Sequence, residues 1–86
     1  MRFLDRAHIA RAQELLIGMA GRVPSLRDVE VHVDALKAPG AYDLCLITRF
    51  DDAAGLDAYQ SDPVHLEAVS WLKTALDDRA IVDYET

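Results

Sequence analysis

From Asp5 to about Ala20, apolar residues fall at Ile9, Ala12, Leu16 and Met19, with Leu15 widening the stripe. That spacing is the period of an amphipathic helix, with Arg11, Glu14 and Gly18 on its far side. Asp5 is the expected N-cap and Gly21 the expected residue past the C-terminus, while Pro24 prevents continuation. Leu26 to Ala35 then alternates. Val29, Val31 and Val33 point one way and Asp28, Glu30, His32 and Asp34 the other, which predicts a half-buried strand. Pro39-Gly40 marks a turn. A second strand is expected from Ala41 to Phe50, with Tyr42, Leu44, Leu46 and Thr48 on one face and Cys45 and Ile47 on the other. Apolar on both faces, it is expected to lie inside a sheet.

Asp51-Asp52 precedes a short helix through Ala53, Leu56 and Tyr59. Asp62 is the next N-cap, and Pro63 occupies the first position of a helix reaching about Leu76. Arg79–Tyr84 alternates again and predicts a closing strand. The order helix–strand–strand–helix–strand is an α+β, ferredoxin-like split βαβ (βαββαβ) with a shortened first strand, for which Met1–Leu4 remains. The whole of 1–86 reads as one domain, without repeat or linker.

The 86 residues and 9.6 kDa permit a modest core. Such a chain exposes about 5,100 Å² of roughly 13,900 Å² when folded, so burying further surface against a partner subunit would stabilise it. A hydrophobic share of 51 % with 28 % charged residues fits a globular domain and argues against disorder. The net charge of −6, with nine scattered Lys and Arg, argues against nucleic acid and anionic membranes as partners. No run approaches the ~20 apolar residues of a membrane span, and Asp5, Arg6, Arg11 and Glu14 interrupt any signal-peptide core. A single cysteine, Cys45, excludes an internal disulfide and is expected to be a small buried hydrophobe. The expected address is cytoplasmic.

Chemistry concentrates in Tyr59-Gln60-Ser61-Asp62-Pro63-Val64-His65. On the last helix His65 heads a stripe through Val69, Leu72 and Leu76. Both an apolar surrounding and the first turn of a helix disfavour an imidazolium there, and a neutral imidazole is what a general base requires. The Asp-Pro turn can fold Tyr59 back towards His65. The same spacing also suits two core side chains with satisfied hydrogen bonds. His8, His32 and His65 have no metal-ligand spacing, the glycines form no phosphate loop, and no nucleophile elbow is present. Neither metal nor cofactor is expected.

Further along these lines, several stretches resemble the stress-responsive alpha/beta-barrel (Dabb) family, in order and nearly end to end. They are Arg2-Phe3 with Asp5, Val23 to Val31, Ala38-Pro39-Gly40 with Tyr42-Asp43-Leu44, and Phe50-Asp51-Asp52. Ala58-Tyr59-Gln60 with Asp62-Pro63-Val64-His65 and the closing Val82-Asp83-Tyr84 complete the set. The resemblance implies a ferredoxin-like fold paired sheet to sheet as a homodimeric α+β barrel, with an apolar pocket between each sheet and its helices. Most relatives have no assigned activity, which implies a stress-linked module binding a small aromatic or polyketide-like ligand without turnover. The alternative is the cofactor-independent polyketide cyclase of olivetolic-acid type, which closes a linear tetraketide by aldol condensation with a Tyr and a His spaced as Tyr59 and His65 are. In that case His65 abstracts a proton alpha to a carbonyl, and Tyr59 holds the base or polarises the carbonyl oxygen. Pocket walls would come from Leu16, Ile17, Leu46, Trp71, Leu76 and Ile81. In the cyclases a histidine occupies the position of Leu44. Many relatives also carry a histidine in an extended first strand. Met1 aligns near the end of that strand, so the sequence is expected to begin inside the native chain.

Overall fold

The computed structural model describes residues 1–84. Its elements run β1 (Arg2–Phe3), a 3-10 turn (Arg6–His8), α1 (Ile9–Ile17), β2 (Asp28–Val33), β3 (Leu44–Arg49), α2 (Ala53–Ser61), α3 (Pro63–Ala75) and β4 (Leu76–Asp78). Strands β1 and β4 pair antiparallel, as do β2 and β3. The two pairs meet at Met1, whose carbonyl accepts from the Asp43 and Leu44 N–H groups at 2.8 and 3.1 Å. Its nitrogen donates to the Leu44 carbonyl at 2.8 Å. The spatial order is therefore β4-β1-β3-β2, the arrangement of a split βαβ unit. As expected, β3 is an inner strand.

The periodicity of α1 is realised side chain by side chain. Ile9, Ala12, Leu16 and Met19 are all buried, and Leu16, Met19 and Val23 are the largest side chains closed off from solvent. Asp5 caps the 3-10 turn that leads into α1 by accepting the Ala7 N–H, while α1 itself starts after His8 without a side-chain cap. Regular α geometry stops at Ile17, short of Ala20, because Met19 and Ala20 bond three residues back and tighten the last turn. Gly21 then adopts φ +79°, a left-handed conformation that glycine takes without a Cβ penalty. Asp52 and Asp62 cap α2 and α3 through the Gly55 and Val64 N–H groups, and Pro63 opens α3.

Directly opposite residues of β2 and β3 share a face, so the register Val29↔Thr48, Val31↔Leu46 and Val33↔Leu44 sets the helix-facing side. Leu44 is buried there, and Val29, Val31 and Leu46 pack against the core. The other face carries Asp28, Glu30, His32, Cys45, Ile47 and Arg49. Arg49 bridges Asp28 at 2.8 Å and Glu30 at 2.6 Å, and its hydrogen bond, followed by that of His32, holds the Glu30 carboxyl below its ordinary range. Cys45 is exposed on this face, against the expectation of a buried hydrophobe, because nothing among the described residues covers it.

The closing strand also lies elsewhere than its alternation predicts. Leu76–Asp78 pairs with β1, through Arg2↔Asp78 and Phe3↔Leu76. Residues 79–84 form no regular element, and Ile81, Val82 and Tyr84 are exposed at 65, 83 and 73 %.

Candidate functional site

Tyr59 and His65 are brought together by the α2–α3 junction. Asp62 sits at the corner with extended backbone angles, ends α2 by donating its N–H to the Tyr59 carbonyl, and caps α3 with its carboxylate. This sharp turn stacks the His65 imidazole on the Tyr59 ring, with centroids 4.1 Å apart and planes 40° apart. On its other flank Tyr59 meets Phe50 at 5.0 Å, so the phenol ring is held in an aromatic row.

His65 is half-buried and its Nδ1–H donates to the Gln60 carbonyl at 3.3 Å. A carbonyl can only accept, so in this contact Nδ1 carries the proton, and Nε2 is the ring nitrogen left to face a ligand. The cyclase resemblance implies that Tyr59 either holds the base or polarises the carbonyl oxygen. In the structure the Gln60 backbone contributes an orienting hydrogen bond and Tyr59 a stacking surface.

Tyr59 is 6 % exposed, and burial pushes its phenol up to about 12. The group therefore stays protonated, as a donor, at any physiological pH. A folded-state value above the unfolded one carries a consequence for alkaline stability. Below pH ~10 the phenol is protonated in both states. Between that value and about 12 the unfolded chain ionises first, so stability falls as pH rises through this window. A spectrophotometric titration should find one tyrosinate appearing only on approach to unfolding. Tyr59→Phe should remove that late step, and its persistence would count against a buried phenol.

An open depression of about 290 Å³ lies along α3, lined by Val69, Leu72 and Leu76, with Met1, Lys73, Asp77, Asp78 and Arg79 around it. Val69 stands one turn beyond His65 on the same side of the helix, so the depression continues the stripe that His65 heads. Of the six expected pocket residues, only Leu76 lines it. Leu16 is a 2 % exposed core residue, Ile17 is 53 % exposed on α1, and Ile81 lies outside any element. Leu46 packs on the core from β3, and Trp71 stands edge-on to His8 with centroids 5.8 Å apart. In a single chain these six do not surround one cavity, because a helical stripe, a strand face and a tail point in different directions.

The sequence reading missed Asp43. It is a buried carboxylate that accepts the Phe3 N–H at 2.9 Å and the Arg6 guanidinium at 2.8 Å, tying the short β1 to the entrance of β3. Tyr42, beside it, donates to Asp78 and lies under the Arg2 guanidinium. A lone aspartate after Pro-Gly reads as turn chemistry, and nothing in the local spacing announces a partner 40 residues away. His32, beside Glu30 on β2, and His8, against Trp71, belong to other parts of the molecule.

No helix among the described residues is long and apolar enough to cross a membrane. Two solved structures share the fold at low identity. One is a dimeric protein of unknown function and ferredoxin-like fold from Bacteroides fragilis NCTC 9343, with a TM-score of 0.83 and 22 % identity over 99 % of this chain and 88 % of that one. The other is a dimeric ferredoxin-like protein of unknown function from Thermobifida fusca YX, with a TM-score of 0.79 and 24 % identity over 92 % and 77 %. No curated protein matches the sequence. Residues 2–86 match the Stress Responsive A/B Barrel Domain. Together with the β4-β1-β3-β2 order, that match over nearly the whole length makes this chain a member of the Stress Responsive A/B Barrel Domain family.

Proposed function

We propose that the protein is a homodimeric module that binds a small aromatic or polyketide-like ligand along α3, without turning it over. The observation that carries this reading is the apolar depression of Val69, Leu72 and Leu76 in line with the Tyr59–His65 stack. At about 290 Å³ it lies at the lower bound of small-molecule sites, which suits a single substituted ring. Lys73 and Arg79 at its rim suit a carboxylate or phenolate on that ring. A partner subunit is supported by area as well as by the two dimeric structural neighbours. The single chain exposes 5863 Å², against the ~5,100 Å² usual for its mass.

Quenching of Trp71, the one tryptophan, provides the test. An alkyl-substituted dihydroxybenzoate should bind saturably, and Leu76→Ser should weaken it about tenfold, the effect of exposing an apolar side chain to water. Equal affinity in wild type and variant, or no saturable quenching, would overturn the reading.

One observation favours a second reading, the cofactor-independent cyclase. With Nδ1 held by Gln60, Nε2 is the basic atom, and the protonated Tyr59 phenol is a donor suited to an enolate oxygen. Incubation with a linear tetraketide thioester decides it. Cyclised product formed by the wild type and abolished in His65→Ala, with the fold intact by circular dichroism, establishes the enzyme. Product formation indifferent to His65 removes it.

A further inference from the structure

The rim of the depression along α3 carries two cations without acidic partners, in a chain where such partners abound. Acidic residues outnumber basic ones fifteen to nine, so a cation finds a carboxylate readily. Arg6, Arg11 and Arg27 pair with Asp43, Glu14 and Asp51, and Arg49 with both Asp28 and Glu30. Arg2 lies over the Tyr42 ring, 4.8 Å from its centroid. Lys73 and Arg79 line the same depression, and among the described residues neither forms an ion pair.

The two neighbouring carboxylates leave them uncompensated for physical reasons. Asp77 is four positions past Lys73, the spacing of a helical ion pair, but α3 stops at Ala75 and Leu76 turns to extended backbone, which breaks that geometry. Asp78 is committed on both oxygens. Its Oδ2 accepts the Tyr42 hydroxyl at 2.9 Å and its Oδ1 the Arg79 backbone N–H at 2.8 Å. The Met1 nitrogen, also at the depression, is spent on the Leu44 carbonyl. Two like charges thus share one small space above the apolar floor of Val69, Leu72 and Leu76, and an anion seated between them relieves their repulsion.

From this we infer that the depression takes an aromatic monocarboxylate, with its ring on Val69, Leu72 and Leu76 and its ionised carboxylate outward between Lys73 and Arg79, and that this charge decides which ring is bound. The inference rests on the ligand-binding reading proposed above and narrows it. A carboxyl group is ionised at neutral pH, whereas a phenol is not, so the carboxylate is the anion that such a ring supplies. Its two oxygens match the fork of the Arg79 guanidinium. Asp77 and Asp78 beside the cations disfavour a second negative charge, which sets a phosphate dianion apart from a carboxylate.

The experiment is isothermal titration calorimetry at neutral pH with a matched pair of probes, an alkyl-substituted dihydroxybenzoic acid and its methyl ester, which keeps the ring and removes the charge. The wild type should bind the acid about tenfold more tightly than the ester, the scale of two ion pairs at an open rim. Lys73→Gln/Arg79→Gln should abolish that preference by weakening the acid about tenfold, with the ester bound as before. Both side chains are exposed, so the fold should not suffer. Arg22→Gln/Lys37→Gln removes two cations that are also exposed but do not line the depression, and should leave the preference intact. Binding of neither probe to the wild type overturns the ligand-binding reading and this inference with it. Binding of both probes equally, or of the ester more tightly, overturns the inference alone. So does a preference that survives in Lys73→Gln/Arg79→Gln, or one lost to the same extent in Arg22→Gln/Lys37→Gln, since the charge is then read elsewhere or only at long range.

Discussion

Leu16→Ala is expected to lower the stability of the protein by about 3 kcal/mol, measured by urea denaturation, and to leave the affinity for the proposed dihydroxybenzoate ligand unchanged at temperatures where the variant stays folded. Leu16 is 2 % exposed and sits in the buried row of α1 with Ala12 and Met19, both at 0 %. Truncating it removes the transfer free energy of the buried side chain and leaves a cavity that close-packed neighbours fill only in part. A chain of this size has a total stability of only about 4–13 kcal/mol, so the loss should be visible as a large shift of the midpoint. The neighbouring Ile17 makes the contrast. It is 53 % exposed, and Ile17→Ala should change stability by no more than ~0.5 kcal/mol. Had Leu16 been a wall of an open pocket, as the family resemblance implied, the pattern would be reversed, with weak destabilisation and a clear loss of affinity. A Leu16→Ala cost under ~1 kcal/mol would mean that the α1 row is not the centre of the core.

What the sequence made legible was local periodicity that tertiary structure did not override. The Ile9–Ala12–Leu16–Met19 stripe, the caps at Asp5, Asp52 and Asp62, and the alternation of β2 all fold as their spacing predicts. The Tyr59–His65 encounter was legible for the same reason, since an Asp-Pro corner between two residues only six apart leaves the two rings little choice. Features set by distant pairing were not. Strand β4 contains Asp77-Asp78, poor strand formers that read as a solvated loop, and its identity as a strand comes from Phe3 and Arg2 across the ladder. Arg79–Tyr84 shows the converse, a strand pattern without a neighbour in its own chain. Cys45 was expected to be buried because β3 is apolar on both faces. One of those faces has no cover within the described chain, so alternation identified an inner strand but not what lies above it. The expected pocket residues are likewise scattered within a single chain. Leu16, Ile17 and Ile81 belong to three different environments that no linear spacing distinguishes.

The second large effect is expected at Asp43, where a side chain substitutes for sheet that β1 lacks. A two-residue strand contributes few ladder bonds, and β1 is instead fixed at three points. It pairs with β4, its Met1 carbonyl takes two N–H groups from β3, and the Phe3 N–H is taken by Asp43 Oδ2 at 2.9 Å. Phe3 is itself 6 % exposed and part of the core, so its N–H has no ready access to water once the carboxylate is removed. Leaving such a donor unpaired costs ~1–3 kcal/mol, and the bond from Arg6 is lost with it. Asp43→Ala should therefore destabilise by about 2–3 kcal/mol and speed amide exchange at Phe3 and Leu76, which face each other across β1 and β4. Two further substitutions separate the causes. Arg6→Ala removes only a partner whose side chain is 52 % exposed, and should cost no more than ~1 kcal/mol. Asp43→Asn keeps an oxygen to accept the Phe3 N–H and should fall between the two. If Asp43→Ala costs no more than Arg6→Ala, the buried backbone donor is not what Asp43 serves, and β1 is held by its pairing with β4 and by Met1 alone. If Asn is as damaging as Ala, the charge on Asp43 outweighs its geometry as an acceptor.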